Sequence, residues 1–280
     1  MAIIDKPSDY FNTKLFTGNG GTNAITGVGF QPDWIWFKNR TSAQSHAIVD
    51  SVRGREGLQS NVDEADYTLN SGKDFGTFDS DGFTVLTPQQ LNSFNYNTGS
   101  IVSWNWKAGT SVSGNTSGSG TAKAYSGSVN TTSGFSIITY LGNGTAGHAI
   151  PHHLGTTPAL VIARTISVAK DWNVYHHKNT SAPETEVLVL NTTAATSDDL
   201  GVWNDTAPTS SVVTLGDSSQ LNTNDGTCIL YAFSEKQGFS KMGSYTGNGN
   251  AYGAFIYTGF KPAFVLVKRT DSANDWCLYD

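Results

Sequence analysis

Three near-copies of one five-residue stretch constrain this chain more than anything else in it: FTGNG at 16–20, YLGNG at 140–144 and YTGNG at 245–249. Gly-Asn-Gly is a turn signal, because glycine takes positive φ without steric cost and asparagine tolerates the left-handed region better than most residues. The flanks repeat as well. GFQPDWIWFKNR (29–40) is answered by GTTPALVIARTI (155–166) and GFKPAFVLVKRT (259–270), and HAIVD (46–50) by WNVYH (172–176) and WCLYD (276–280). NTGSIVSWNW (97–106) matches NDGTCILYAF (224–233), and GFS recurs at 134–136 and 238–240. Several blocks kept in one order mean that a whole domain is copied, not a turn.

The spacing is far too long for a solenoid repeat and fits an independent domain. The expected organisation is residues 1–109 as copy one with an N-terminal lead, 110–133 as a Gly/Ser/Thr-rich linker, 134–238 as copy two, and 239–280 as an incomplete third copy. Such a linker lets the first two copies swing, whereas the short second junction holds the third copy close to the second. Two strands cannot bury a core by themselves. The expectation for the third copy is therefore that the protein continues past Asp280, or that a neighbouring subunit supplies the missing strands.

Within each copy the pattern is β. WIWF, LVIA and FVLV are short runs rich in β-branched and aromatic residues, bounded by proline and polar residues. SIVSWNW alternates, with Ile101, Ser103 and Asn105 on one side and Val102, Trp104 and Trp106 on the other; TCILYAF is continuously apolar and reads as buried on both faces. No 12-residue segment carries a helical period with caps. The fold class expected is all-β: tandem antiparallel β-sandwich domains, jelly-roll-like or immunoglobulin-like in outline, with seven or eight strands per copy. Trp34 and Trp36 share one strand face, as do Trp104 and Trp106. These four are core aromatics or, in the functional reading, a glycan-stacking platform; core is favoured because Tyr231 and Phe233 keep bulk at the positions of Trp104 and Trp106. Trp106 and Phe233 are expected to be buried.

Charged residues make up only 14% of the chain, the net charge is −6, and no dense Lys/Arg cluster occurs, which argues against nucleic acid as a partner. No run of 18 apolar residues exists, so membrane insertion is not expected. The opening MAIIDKPSDYFNTK does not read as a secretory signal. Cys228 and Cys277 lie in strand-like apolar runs and read as buried thiols, with a disulfide between them left open. Asp50 and Arg53 in DSVRG could bind a polar ligand, but a salt bridge pinning a loop is favoured. Asp79 and Asp81 resemble part of a Ca²⁺ loop without its later acidic ligand, so a plain turn is favoured. The pairs His152–His153 and His176–His177 point to opposite strand faces and read as surface or loop histidines rather than a metal site. Asp198 and Asp199 sit in a turn. There is no nucleophile elbow, no H-E-x-x-H, and no G-x-G that opens a helix, and the polar candidates differ between copies. The expectation is a non-enzyme with no cofactor and no metal.

YFNTKLFTGNGGTNAITGVGFQPDWIWFKNR, followed by DSVRG, FDSDGFTV and SWNWKAG, resembles an uncharacterised domain found repeatedly in structural proteins of tailed bacteriophages, tail-fibre-like and other virion proteins among them. The resemblance covers residues 10–109; copies two and three keep the Gly-Asn-Gly turn and Gly-x-x-Pro but lose DSVRG and WNWKAG. It implies a virion location on the tail or particle surface, in a tail fibre or tail-associated adhesin. The implied partners are other phage tail or virion proteins, sister chains in a homotrimer, and a host cell-surface glycan. The family brings no catalytic residues to transfer. The rival expectations are a capsid decoration or head-fibre protein, and a secreted carbohydrate-binding or depolymerase protein with its catalytic part beyond residue 280.

Overall fold

The computed structural model describes residues 3–91 and 93–280. Copy one contains β1 (Phe11–Thr17), β2 (Asn23–Thr26), β3 (Trp34–Asn39), β4 (Ala47–Asp50), β5 (Glu56–Gln59), β6 (Tyr67–Thr68), β7 (Phe75–Asp79), β8 (Gly82–Val85) and β9 (Ser100–Trp106). They form a large sheet, β1-β9-β3-β4-β5-β6, and a small one, β2-β8-β7. The stretch expected to be a flexible linker or a loosely packed extended arm is extended and paired into sheets as β10 (Thr110–Asn115), β11 (Ser117–Gly118) and β12 (Ala124–Asn130). Its serine, glycine and threonine side chains are small, and its backbone hydrogen-bonds onto the sheets of copy two.

Copy two contributes β13 (Phe135–Leu141), β14 (His148–Pro151), β15 (Leu160–Thr165), β16 (Asn173–His176), β17 (Glu186–Val189), β18 (Ser197–Asp198), a short helix α1 (Leu200–Trp203), β19 (Val212–Leu215) and β20 (Thr227–Phe233). Its large sheet runs β10-β12-β13-β20-β15-β16-β17-β18 and its small sheet β11-β14-β19. From β13 onward the large-sheet order is that of copy one, strand for strand. The third copy supplies the hairpin β21 (Val265–Lys268) and β22 (Trp276–Tyr279). Registers agree too: Trp34 lies opposite Asp50 and Trp106, and Leu160 opposite His176 and Phe233. Val265 opposite Tyr279 repeats the pairing of Val161 with Tyr175.

Each complete copy is a two-layer sandwich. In copy one, Ile25, Phe75, Phe83 and Val85 of the small sheet pack on Ile35, Phe37, Val49 and Ile101 of the large one. In copy two, Ile150, Val213 and Leu215 pack on Ile138, Val161, Cys228 and Leu230. The opposite faces of both large sheets meet each other. Trp34, Trp36, Val102, Trp104 and Trp106 close on Phe135, Ile162, Trp172, Ile229 and Tyr231 in one continuous apolar seam. The alternation read in β9 is thus correct, but both of its faces are buried, one inside the copy and one between copies. A seam of this kind fixes the first two copies against each other and replaces the swinging arrangement expected from composition.

The Gly-Asn-Gly turns owe their sequence to a close approach. A Cβ on Gly18 would lie 2.1 Å from the Tyr96 carbonyl oxygen, and one on Gly142 would lie 2.2 Å from that of Thr223. Gly20 and Gly144 have φ of +67° and +65°. The segment that approaches carries a buried asparagine. Asn95 accepts from the Asn19 amide at 3.0 Å, and Asn222 from the Asn143 amide at 2.9 Å.

Candidate functional site

The seam gathers most of the residues singled out by sequence. Trp34, Trp36, Trp104 and Trp106 are 2%, 4%, 3% and 9% exposed. The Trp34 ring lies 4.5 Å from Trp106, 4.9 Å from Tyr231 and 5.7 Å from Phe135, centroid to centroid. These indoles are core, with their faces covered by other rings. Phe233 is half-buried rather than buried, packed against the same cluster where it opens to a cleft.

Asp50 and Arg53 form the ion pair expected of them, Nε to Oδ2 at 2.7 Å, and its setting is the seam rather than a surface loop. Asp50 is fully buried and also accepts from the Tyr231 hydroxyl of copy two at 2.8 Å. Burial acts to weaken the protonation of Arg53, but Asp50 beside it more than compensates and holds the guanidinium above its ordinary range. Burial, with Asp50 adjacent, pushes the Tyr231 hydroxyl well up. Arg53 is therefore held charged and Tyr231 neutral, and the cluster joins two copies.

Arg164, invisible to motif reading, is the larger surprise. It is fully buried, its Nη2 donates to the carbonyls of Asp63 and Glu64 in copy one, each at 2.7 Å, and its guanidinium lies 5.0 Å over the Trp172 ring. Burial lowers its pKa to about 10. Trp172 Nε1 donates to the Gln59 carbonyl at 2.8 Å, Lys170 N to Asp63 O at 2.7 Å, and Asp66 N to Ile166 O at 2.8 Å. The same contacts recur one step on. Trp276 Nε1 donates to the Val189 carbonyl at 2.8 Å, Asn274 N to Thr193 O at 2.8 Å, Thr196 N to Thr270 O at 2.9 Å, and Lys268, at the position of Arg164, to Thr193 O at 3.0 Å. Copy three sits on copy two as copy two sits on copy one.

The cycle also closes. Tyr231 of copy two reaches Asp50 of copy one, and at the matching positions Trp104 Nε1 of copy one reaches Asp280 of copy three at 3.2 Å. Phe264 of copy three packs on Phe11, Trp36, Trp104 and Trp106. The three copies are thus arranged head to tail about a pseudo-three-fold axis, with the seam on the axis. Beside the hairpin lies a cleft of about 500 Å³, walled by Trp34, Trp106, Ile162, His176, Phe233 and Leu266 among others.

The remaining candidates are not brought together. Asp81 accepts from the amides of Gly27 and Gly29, and Asp79 from the hydroxyls of Thr77 and Thr84, so both brace a turn. His152 is buried against the Thr209 carbonyl, and burial lowers its pKa to about 4; His153 meets the Tyr125 hydroxyl at 2.8 Å. His177 meets the Met242 carbonyl. Among the described residues no group of three or more His, Cys, Asp or Glu is placed to hold a metal. Asp199 caps α1 and Asp198 ends β18. Cys228 is buried, as expected, but Cys277 is exposed on the outer face of the hairpin, and both are free thiols. Among the described residues no second sheet covers that outer face, whereas Val161 and Tyr175 at the matching positions in copy two are covered by β14 and β19.

These features define an all-β protein of tandem sandwich units joined by a shared seam. Over residues 6–280 the chain matches the family described as Domain of unknown function (DUF7483), and it belongs to that family. The matched span takes in all three copies. No curated protein and no solved structure matches it.

Proposed function

We propose that this chain is a structural protein of a bacteriophage particle, a tail fibre or tail-associated adhesin whose work is assembly and host contact. The phage setting is supported by the resemblance of residues 10–109 to a repeated virion domain. The observation that carries the structural part is where the polar groups go. Asp50, Arg53, Tyr231 and Arg164, the groups with chemistry to offer, are buried and engaged in holding one copy to the next. Such a chain presents a rigid outer surface for neighbouring virion proteins and for a host glycan, and homotrimerisation would use that surface, because the seam is already occupied.

Immunogold labelling of negatively stained particles with antibody to the chain tests this directly. Gold along the tail is expected. Gold on the head would favour a decoration or head-fibre protein, and purified particles free of the chain would sink the proposal. New reducing ends released from host polysaccharide by the chain would instead make it a depolymerase.

A further inference from the structure

The arm of residues 110–130 is fastened to copy two at its tip, and a buried histidine sits in the fastening. β10 and β12 form the stem of a hairpin whose loop, residues 116–123, is closed by Thr116 N donating to Lys123 O at 2.7 Å and by Lys123 N donating to Thr116 Oγ1 at 2.8 Å. The tip lies on the small sheet of copy two through the pairs Ser117–Ala149 and Gly118–His148. Asn143 of the Gly-Asn-Gly turn donates to the carbonyls of Ser119 and Thr121, Ser119 N donates to Gly147 O, and Lys123 pairs with Asp225. His148 and Thr116 are 0% and 3% exposed. Both ring nitrogens of His148 are engaged: Nδ1 meets Asn222 Oδ1 at 2.9 Å and Nε2 meets Thr116 Oγ1 at 2.7 Å.

These partners fix which nitrogen carries the proton. Asn222 Nδ2 donates to the Thr145 and Gly216 carbonyls, so its Oδ1 accepts and His148 Nδ1 bears the hydrogen. Thr116 Oγ1 already accepts from Lys123 N, so its own hydrogen goes to a bare Nε2. A second proton on the ring would take that acceptor away and leave the Thr116 hydroxyl hydrogen buried. The groups facing His148 give an added charge no relief. Lys123, from the loop that leads into β12, has the same sign, and Asp225, from the turn before β20, is taken up by Lys123. Tyr140 of β13 lies 6.2 Å away, ring to ring, with its hydroxyl on the Leu221 carbonyl, and Asp217, on the segment leading to Asn222, lies against Gly201 of α1. β11, β19 and residues 142–147 contain no titratable side chain. Burial pushes the ring below the ordinary histidine range, with Lys123 acting the same way and the Asn222 hydrogen bond against it. We propose that His148 is an acid-released latch: protonation of its ring detaches residues 116–123 from copy two, leaves the β10–β12 stem paired, and uncovers the edge of β14 and the second Gly-Asn-Gly turn. In copy one Asn23 stands at this position, with Nδ2 on Asn95 Oδ1 at 3.3 Å, so the latch belongs to copy two alone among the two complete copies.

Once free, the ring titrates near the ordinary histidine value of about 6.5, so the opening constant of the tip should rise by up to about 30-fold from about pH 7.5 to about pH 5. Amide hydrogen exchange on the full 280-residue chain, corrected for the intrinsic effect of pH on exchange, reads this as lost protection at Ser119 and Lys123. The Leu230 and Tyr231 amides of β20 report global opening alongside. NMR of the ring at the higher pH should show a neutral imidazole with its hydrogen on Nδ1. His148→Asn installs the residue copy one uses, keeps a donor to Asn222 and takes up no proton, so its tip should be equally protected at both pH values. Tip protection that does not change with pH in the unsubstituted chain, that falls as far in His148→Asn, or that falls only in step with β20 would each overturn the proposal. So would a ring that gains its second proton while Ser119 and Lys123 stay protected, a result readable in the unsubstituted chain even if the variant does not fold.

Discussion

Tyr231→Phe isolates the polar link between copies one and two. It deletes only the hydroxyl that donates to Asp50 at 2.8 Å and leaves the ring in place, 4.9 Å from Trp34 and 6.2 Å from Trp172. A hydrogen bond to a charged partner contributes about 1.5–3 kcal/mol. Asp50 keeps two other donors, the Arg53 amide at 2.9 Å and Nε at 2.7 Å, so the carboxylate is not orphaned and the lower half of that range applies: about 2 kcal/mol. Asp50→Asn should cost more, about 3–5 kcal/mol, because it leaves the Arg53 guanidinium charged and unpaired in the seam. Urea unfolding followed by tryptophan fluorescence reads both, as a lower midpoint at unchanged slope. Tyrosine and aspartate act on one shared bond, so the double variant should cost less than the sum of the singles by about 1 kcal/mol. A loss under about 0.5 kcal/mol for Tyr231→Phe, strict additivity in the double variant, or separate unfolding of the two copies would refute a common, cooperatively closed seam.

Arg164→Lys keeps the charge but not the fork that spans the Asp63 and Glu64 carbonyls; a loss of about 3 kcal/mol is expected in the same assay, and an unchanged midpoint would contradict it. A fragment ending at residue 109 uncovers the face bearing Trp34, Trp36, Trp104 and Trp106, so it should bind a hydrophobic dye and aggregate; a monodisperse, dye-silent fragment would be the contrary result. Buried His152 has a folded pKa of about 4. The unfolded chain, with its histidine near 6.5, gains a proton that the folded chain refuses, so the His152 contribution to stability should be flat above that pH and fall by up to about 3 kcal/mol on the way down to about pH 4, and His46 and His176, lowered by burial to about the same value, add to the fall. His152→Asn should make that slope shallower in urea midpoints taken across pH, leaving the share of His46 and His176, and a slope unchanged by the substitution would refute the assignment.

Much of the architecture was legible because it was written twice. Repeated blocks in one order located the copies, and the alternation in β9 placed its two faces correctly. Polar sequence misled where backbone pairing, not side-chain burial, does the ordering: residues 110–130 became strands on the strength of hydrogen bonds that serine, glycine and threonine make as well as any residue. Arg164 was hidden because its partners are backbone carbonyls, which carry no sequence signature. Asn95 and Asn222 were hidden differently. They are repeated, but they sit in unlike surroundings, and their role as the clamp on the Gly-Asn-Gly turn emerges only when the segment behind the turn is in view. Cys277 was misplaced because it lies in an apolar run whose counterparts, Ala47–Asp50 and Asn173–His176, are covered on both faces, whereas the hairpin has cover on one.

The head-to-tail contact between copies has a consequence for how the chain can change. In a ring built from three separate identical chains, one substitution appears at every contact at once and must suit all of them. Here each contact has its own residues, so one junction can join an aspartate to a tyrosine and another an aspartate to a tryptophan, while an arginine at one step is a lysine at the next. Tethering also holds the copies at a fixed effective concentration, so the ring does not fall apart on dilution and a single junction can weaken without loss of the whole. Divergence at the seam is therefore cheap for this chain, and it is at the outward-facing surfaces, free of that shared duty, that its copies can be tuned to different neighbours.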